Sequence, residues 1–242
     1  MAKALQWLRS LIFIVLMYLG MAVLGLVGLP FAIASPRGAT RVAHYFSAYV
    51  RWLARVMVGL RSEIRGTVPT GEVVIAAKHQ SFFDILMIFD ALPRPKFIMK
   101  AELRWAPILG FYALRLGCVP VNRGKRAQAI QKMKADVAAG QAEPGQLVIY
   151  PQGTRIAPGV RAPYKIGAAV LYDQLGQECV PVATNVGVFW PKRSLLRQPG
   201  LAVVEFLPAI PPGLPVPEVA ARLEQVIETA SDALMREAGF GE

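Results

Sequence analysis

The apolar residues follow three different patterns along the chain. From residue 11 to residue 34 they form a run of 24 residues without a charge, and crossing a bilayer core takes about 20. From residue 40 to 61 they recur at helical spacing. With Arg41 set at 0° and about 100° per residue, Val42, Tyr45, Phe46, Tyr49, Trp52, Leu53, Val56, Met57 and Leu60 fall on one face. Arg41, His44, Ala48, Arg51 and Arg55 fall on the opposite one. This describes a helix in a membrane interface, with aromatics at headgroup depth and arginines toward phosphates. From residue 63 onward, short apolar runs alternate with helical patterns. The runs predict strands over 73–77, 96–99, 118–121, 146–150, 180–188 and 201–207. Helices are predicted over 82–92, 105–116, 126–139, 164–175 and 218–238. Strands alternating with helices imply an α/β fold, a largely parallel central sheet flanked by helices. The expected division is a membrane-associated two-helix anchor over residues 1–62 and an α/β catalytic domain over 63–242.

Charge sharpens the membrane reading. The chain has 242 residues, a mean hydropathy of +0.40 and a formal charge of +11. Lys3, Arg9, Arg37, Arg41, Arg51, Arg55 and Arg61 precede the first acidic residue, so the excess sits beside the apolar run. Grease and positive charge together point to anionic lipid before nucleic acid. Lys3 and Arg9 favour a cytoplasmic N-terminus. Arg37 and Arg41 flank the other end, which fits a helix that enters one leaflet and returns. Gly20, Gly25, Gly28 and Pro30 make its second half pliable. A cleavable signal sequence is the alternative, but the run exceeds the usual 7–15-residue core of one. An arginine at a helix centre costs about 2.5–3.5 kcal/mol in a bilayer, so the second helix is not expected to span. Two cysteines, Cys118 and Cys179, give no disulfide framework and suit a reducing compartment.

Candidate chemistry centres on His79-Gln-Ser-Phe-Phe-Asp84. Only two histidines are present, and His44 lies in the amphipathic helix. Imidazole is the side chain that titrates near neutral pH unperturbed, so His79 is the candidate proton acceptor. Five residues turn through about 140° on a helix, so His79 and Asp84 meet only if His79 sits in the turn before a helix starting near Ser81. Ser81 to Asp84 reads as a capping box, which agrees. Asp84 as a cap alone, with His79 an ordinary turn residue, is the competing reading.

Two further turns follow predicted strands: Val121-Asn-Arg-Gly124 and Tyr150-Pro-Gln-Gly-Thr-Arg155. Ligands in open α/β folds gather at the carboxyl ends of strands, and arginine's fork suits phosphate. Taken singly, each reads as a solvated loop. In order, and with Val180-Pro-Val-Ala183, the blocks resemble those of the glycerolipid acyltransferases, nearest the bacterial 1-acyl-sn-glycerol-3-phosphate (lysophosphatidic acid) acyltransferases. The resemblance covers about residues 60–190, and the N-terminal anchor is similar too. It implies transfer of a fatty acyl group from acyl-CoA or acyl-acyl carrier protein to the sn-2 hydroxyl of lysophosphatidic acid. The product is phosphatidic acid for phospholipid biosynthesis, formed at the cytoplasmic face of the inner membrane, with no cofactor, metal or nucleic acid. His79 is then the general base and Asp84 its orienting acid. Asn122, Arg123, Gly124, Gln152, Gly153, Thr154 and Arg155 are the substrate-binding residues, joined by Lys100. Lys165 also matches a basic position common in the family. The family pattern carries Glu where this chain has Gln152, which raises another lyso-lipid as an alternative acceptor.

Three other readings remain. A hydrolase would use Ser81 or Cys118 as nucleophile, although a cap and a strand core explain these better. Zinc held by His79, Cys118 and Cys179 lacks the close ligand pairs typical of such sites. A non-catalytic membrane binder would leave the ordered motifs unexplained.

Overall fold

The computed structural model describes residues 2–121, 131 and 144–241. Seven strands form one sheet: β1 (Leu60–Gly66), β2 (Val74–Ala77), β3 (Pro95–Lys100), β4 (Val119–Val121), β5 (Gln146–Ile149), β6 (Cys179–Thr184) and β7 (Gly200–Phe206). Their order is β1-β7-β6-β2-β5-β3-β4. All neighbouring pairs are parallel except β6 with β7. The α/β class and largely parallel sheet are therefore as expected. Central β2, β5 and β6 are buried along their whole length, as parallel strands covered on both faces require.

The helices are α1 (Ala2–Val27), α2 (Leu29–Ala34), α3 (Pro36–Val58), α4 (Phe83–Ala91), α5 (Leu109–Arg115), α6 (Gly167–Leu175), α7 (Val186–Phe189) and α8 (Val216–Glu237), with a 3₁₀ turn over Ala101–Trp105. The predicted helix over 126–139 lies outside the described residues apart from position 131. Three other predictions shift. The run read as a strand to residue 188 ends at Thr184 and continues as α7. The helix expected over 105–116 is divided into the 3₁₀ turn and α5. The amphipathic helix stops at Val58, where Gly59 adopts φ +72°, and the chain enters β1. β1 has the sequence Leu-Arg-Ser-Glu-Ile-Arg-Gly at the sheet edge. Its polar positions are half-solvated there, which is why hydrophobic patterning did not reveal it. The expected boundary between residues 62 and 63 falls inside this strand.

The N-terminal helices share the core of the sheet. Phe13 and Met17 of α1 and Val50, Leu53, Ala54 and Val58 of α3 cluster with Ile75, Phe83, Met87 and Val182. Two of the glycines read as pliable are close-approach positions: a Cβ on Gly20 would lie 2.2 Å from the Tyr49 ring, and one on Gly28 2.5 Å from Val42. The polar side of α3 is also used differently from the expectation. Arg51 pairs with Asp90 of α4 and donates from Nε to Ser62 Oγ at 2.9 Å, while His44 lies 3.7 Å from the same carboxylate. Burial opposes the charge on Asp90, but His44 and Arg51 together hold its pKa below the usual carboxylate value. Arg51 therefore serves the protein interior, and Arg41 and Arg55 are left exposed. Outward, α1 presents Leu8, Leu11, Val15, Leu19, Val23 and Leu26, and Trp105 of the 3₁₀ turn is 76% exposed.

Trp190, just after α7, joins these layers. Its ring meets Phe13 edge-on at 5.2 Å, stacks on Phe83 at 5.1 Å, and carries the Arg197 guanidinium 4.3 Å from its centroid. Trp190→Ala is expected to cost about 3–5 kcal/mol, the usual loss for a buried aromatic. A thermal midpoint in detergent equal to the wild type would show that this hub does not hold α1 to the sheet.

Candidate active site

β2 ends at Ala77, and Lys78 extends its ladder by donating N–H to Val182 O at 2.8 Å. The chain then turns, so His79 emerges at the carboxyl edge of a central strand. His79 Nδ1 lies 2.9 Å from Asp84 Oδ1. The other carboxylate oxygen, Oδ2, accepts the backbone amides of Gln80 at 2.8 Å and Ser81 at 2.6 Å. Asp84 is fully buried. The carboxylate therefore fastens the turn with one oxygen and faces the imidazole with the other. Of the expected capping box only the carboxylate half forms: Ser81 Oγ accepts from Phe83 N at 3.2 Å and not from Asp84, and α4 begins at Phe83 after Phe82, which gives no side-chain cap.

The carboxylate fixes the tautomer by elementary valence. An ionised carboxylate only accepts hydrogen bonds, so Nδ1 carries the proton and Nε2 keeps a lone pair for a substrate. The ring is also clamped by stacking on Tyr150 at 3.9 Å with 19° between planes. The Tyr150 hydroxyl is buried without a hydrogen-bond partner among the described residues. Burial first, and then the nearby Asp84 charge, push its pKa well above 10, so it stays neutral.

The loop after β5 closes over the same edge. Gly153 turns with φ +71° and donates N–H to Tyr150 O at 2.9 Å. Ile156 N donates to His79 O at 2.8 Å, tying the third motif to the first. A Cβ on Gly153 would lie 2.9 Å from Lys165 Nζ, so the ammonium covers the bare glycine. Lys192 Nζ donates to Thr154 Oγ1 and Arg155 O, both at 3.3 Å. Among the described residues Arg155 and Lys165 enter no ion pair, and Thr154 is exposed. Three cations thus surround an exposed glycine turn, an arrangement suited to a phosphate.

Not every expected residue converges. Gln152 is 4% exposed, and its Nε2 donates to Ala162 O at 3.2 Å and faces Glu228 Oε1 at 3.5 Å. Its amide points into the protein, toward the last described helix. Lys100 is exposed at the carboxyl end of β3, on the edge shared by β2 and β5. Asn122, Arg123 and Gly124 lie outside the described residues. Ser81 Oγ is buried and engaged. Burial pushes the thiol of Cys118 up to about 11 and that of Cys179 up to about 12, so neither is a ready nucleophile.

Sequence reasoning missed Tyr150 as the platform for His79, and Lys192 and Glu228 altogether. The signal for Glu228 was present. It sits on the apolar face of α8 with Val219, Leu223, Ile227 and Leu234, where a carboxylate needs a buried partner.

A family model described as Acyltransferase matches residues 60–185. The 1-acyl-sn-glycerol-3-phosphate acyltransferase of Pseudomonas aeruginosa is 27% identical over 81% of this chain and 77% of its own length. The alpha forms from mouse and human are each 29% identical, and the match spans 57% and 63% of their lengths, less than two thirds. The crystal structure of the 1-acyl-sn-glycerophosphate acyltransferase from Thermotoga maritima shares the fold. It matches with a TM-score of 0.80 over 97% of this chain and 98% of that one, at 21% identity.

The divided role of Asp84 makes a substitution informative. In Asp84→Asn the amide oxygen can still accept from Gln80 and Ser81, while the new NH₂ donates to His79 Nδ1. The proton then moves to Nε2. The variant is expected to fold, with ¹⁵N spectra of the two histidines showing His79 protonated at Nε2. Retention of the proton on Nδ1 would show that Asp84 does not set the tautomer.

Proposed function

The chain belongs to the acyltransferase family, and on that premise we propose that it acylates the sn-2 hydroxyl of 1-acyl-sn-glycerol-3-phosphate to give phosphatidic acid. The donor is a fatty acyl thioester, either acyl-CoA or acyl-acyl carrier protein. The observation that carries this reading is the His79 imidazole, held at Nδ1 by buried Asp84 and joined through its carbonyl to a cationic glycine turn.

In the proposed reaction His79 Nε2 takes the proton of the acceptor hydroxyl as its oxygen attacks the thioester carbonyl. Asp84 stabilises the imidazolium. The tetrahedral intermediate then expels the thiolate, which takes the proton back from His79 and leaves as a thiol. One ester forms and one thioester breaks, so no redox partner is needed. The acceptor phosphate would be held over the Gly153 turn by Arg155 and the Thr154 hydroxyl, with Asn122, Arg123 and Gly124 from the second motif. Lys100 would face the same phosphate or the developing oxyanion. Gln152 acts from beneath the loop.

We further propose that residues 1–62 hold the enzyme on the cytoplasmic leaflet without crossing it. α1 is apolar and long enough to span, but Phe13 and Met17 are committed to the protein core. α3 is tied to α4 through Arg51 and Asp90. A helix packed along the domain is suited to lie in the interface with its outer apolar face in lipid. A cysteine replacing exposed Glu218 should react with an impermeant maleimide only after cells are opened. Labelling from outside would exclude this orientation.

The activity test is release of free thiol. Release from acyl-CoA or acyl-acyl carrier protein should require lysophosphatidic acid. Release without acceptor would mean a hydrolase, and release only with another lysophospholipid would mean a different acceptor. His79→Ala should lower transfer by at least about 10²–10⁴-fold, the usual contribution of a general base. In the same assay Arg155→Ala should raise the KM for lysophosphatidic acid and lower kcat, with the donor KM little changed. Arg155→Lys should recover only part, because it lacks the bidentate fork. A defect confined to the donor would remove Arg155 from the acceptor site.

A further inference from the structure

The turn that carries His79 is held from both sides by the C-terminal helix. Lys78, 2% exposed, extends Nζ to Glu228 Oε1 at 2.5 Å. Gln80, also buried, accepts Gly187 N at 2.9 Å and approaches Met235 Sδ with Nε2 at 3.5 Å. Glu228 is the centre of a wider cluster. Its Oε1 also accepts the Tyr164 hydroxyl at 2.9 Å and lies 3.5 Å from Gln152 Nε2, and its Oε2 accepts Arg161 Nη1 at 2.5 Å. Arg161 pairs in turn with Asp232. Two cations therefore face two carboxylates. Gln152 fits this cluster only as a neutral group, with Nε2 toward Glu228 and Oε1 buried without a partner among the described residues. A carboxylate at position 152 would set a second negative charge against Glu228.

We infer that Glu228 is a positioning residue for acyl transfer. Through Lys78 and Gln152 it sets the spacing between the His79 turn and the loop of residues 150–155, as the carboxylate of a charge-balanced cluster that needs a neutral side chain at 152. The inference rests on His79 being the base and that loop the acceptor site. Its physical basis is the cost of a buried ammonium without a partner, which is relieved by backbone movement or water entry. Lys78 is bonded directly to His79, so such movement reaches the imidazole. A misplacement of about 1 Å costs on the order of 10² in rate.

The test is a double-mutant cycle on the full chain in detergent micelles, with lysophosphatidic acid and each thioester donor. Unfolding midpoint, kcat and both KM values are measured for wild type, Glu228→Gln, Gln152→Glu and the double variant. Each single change should lower kcat by about 10–100-fold, with the donor KM little altered. The double variant returns one carboxylate to the cluster and should recover kcat to within a few-fold of wild type, far from additive behaviour. If Glu228→Gln does not fold, Lys78→Met combined with Glu228→Gln removes both charges. It should fold with kcat within a few-fold of wild type, because no unpaired ammonium is left to move the turn, and a loss as large as that of Gln152→Glu overturns this basis. A double variant whose loss is the product of the single losses overturns the inference, as does a folded Glu228→Gln with full kcat. A wild type that transfers no acyl group from either donor overturns the proposed function and the positioning role together. An active wild type with additive single variants overturns the positioning role alone.

Discussion

The structure of the site depends on a carboxylate used twice. Asp84 is fully buried, and a buried carboxylate is costly unless its lone pairs are met by donors. Three donors meet it: two backbone amides on Oδ2 and the imidazole on Oδ1. The amides come from Gln80 and Ser81, next to His79, so the carboxylate that selects the imidazole tautomer also fixes the backbone from which the imidazole projects. Orientation and protonation state are thus one constraint. The remaining freedom of the ring, rotation out of its plane, is checked by the stack on Tyr150.

That constraint joins the first and third motifs into one object. Tyr150 closes β5, the immediate neighbour of β2, and the loop beyond it returns through Ile156 to the His79 carbonyl. The His79 imidazole and a cationic turn are therefore held on the same parallel strand pair. In open α/β sheets such a carboxyl edge is where ligands bind. The N-terminal side uses a similar economy. Trp190 lies between Phe13 of α1 and Phe83 at the start of α4, so the apolar N-terminal helix and the helix that follows the His79 turn press on one ring. The outer apolar face of α1 and the His79 turn are thereby kept in fixed relation.

Much of this was legible in the sequence, and the parts that were not share a cause. The strand–turn–helix around His79 and the carboxyl-edge position of the third motif follow from local signals: a buried run, a capping pattern, a glycine turn. β1 was hidden because an edge strand keeps polar side chains. Arg51 was assigned to lipid phosphates because its real partner, Asp90, is 39 residues away on another element. The orientation of Gln152 was equally hidden, because a motif position implies a role but not a direction. Its amide turns inward to a carboxylate 76 residues distant. Each of these depends on a long-range partner that periodicity cannot name.

The C-terminal helix carries this furthest. α8 contains none of the four motif blocks, yet Glu228 reaches Lys78 across 150 positions of sequence and Met235 meets Gln80 across 155. The two residues flanking His79 are therefore both held by a helix that is distant from them in sequence. Contacts of such separation carry a loop-closure cost that must be met before they stabilise anything. A chain lacking α8 keeps every motif residue, but Lys78 then loses its carboxylate and Gln80 its Met235 contact, while α6 and β6 lose the surface that covers them. The motif blocks bring His79, Asp84 and the glycine turn, and contacts from a helix outside those blocks hold them in one arrangement.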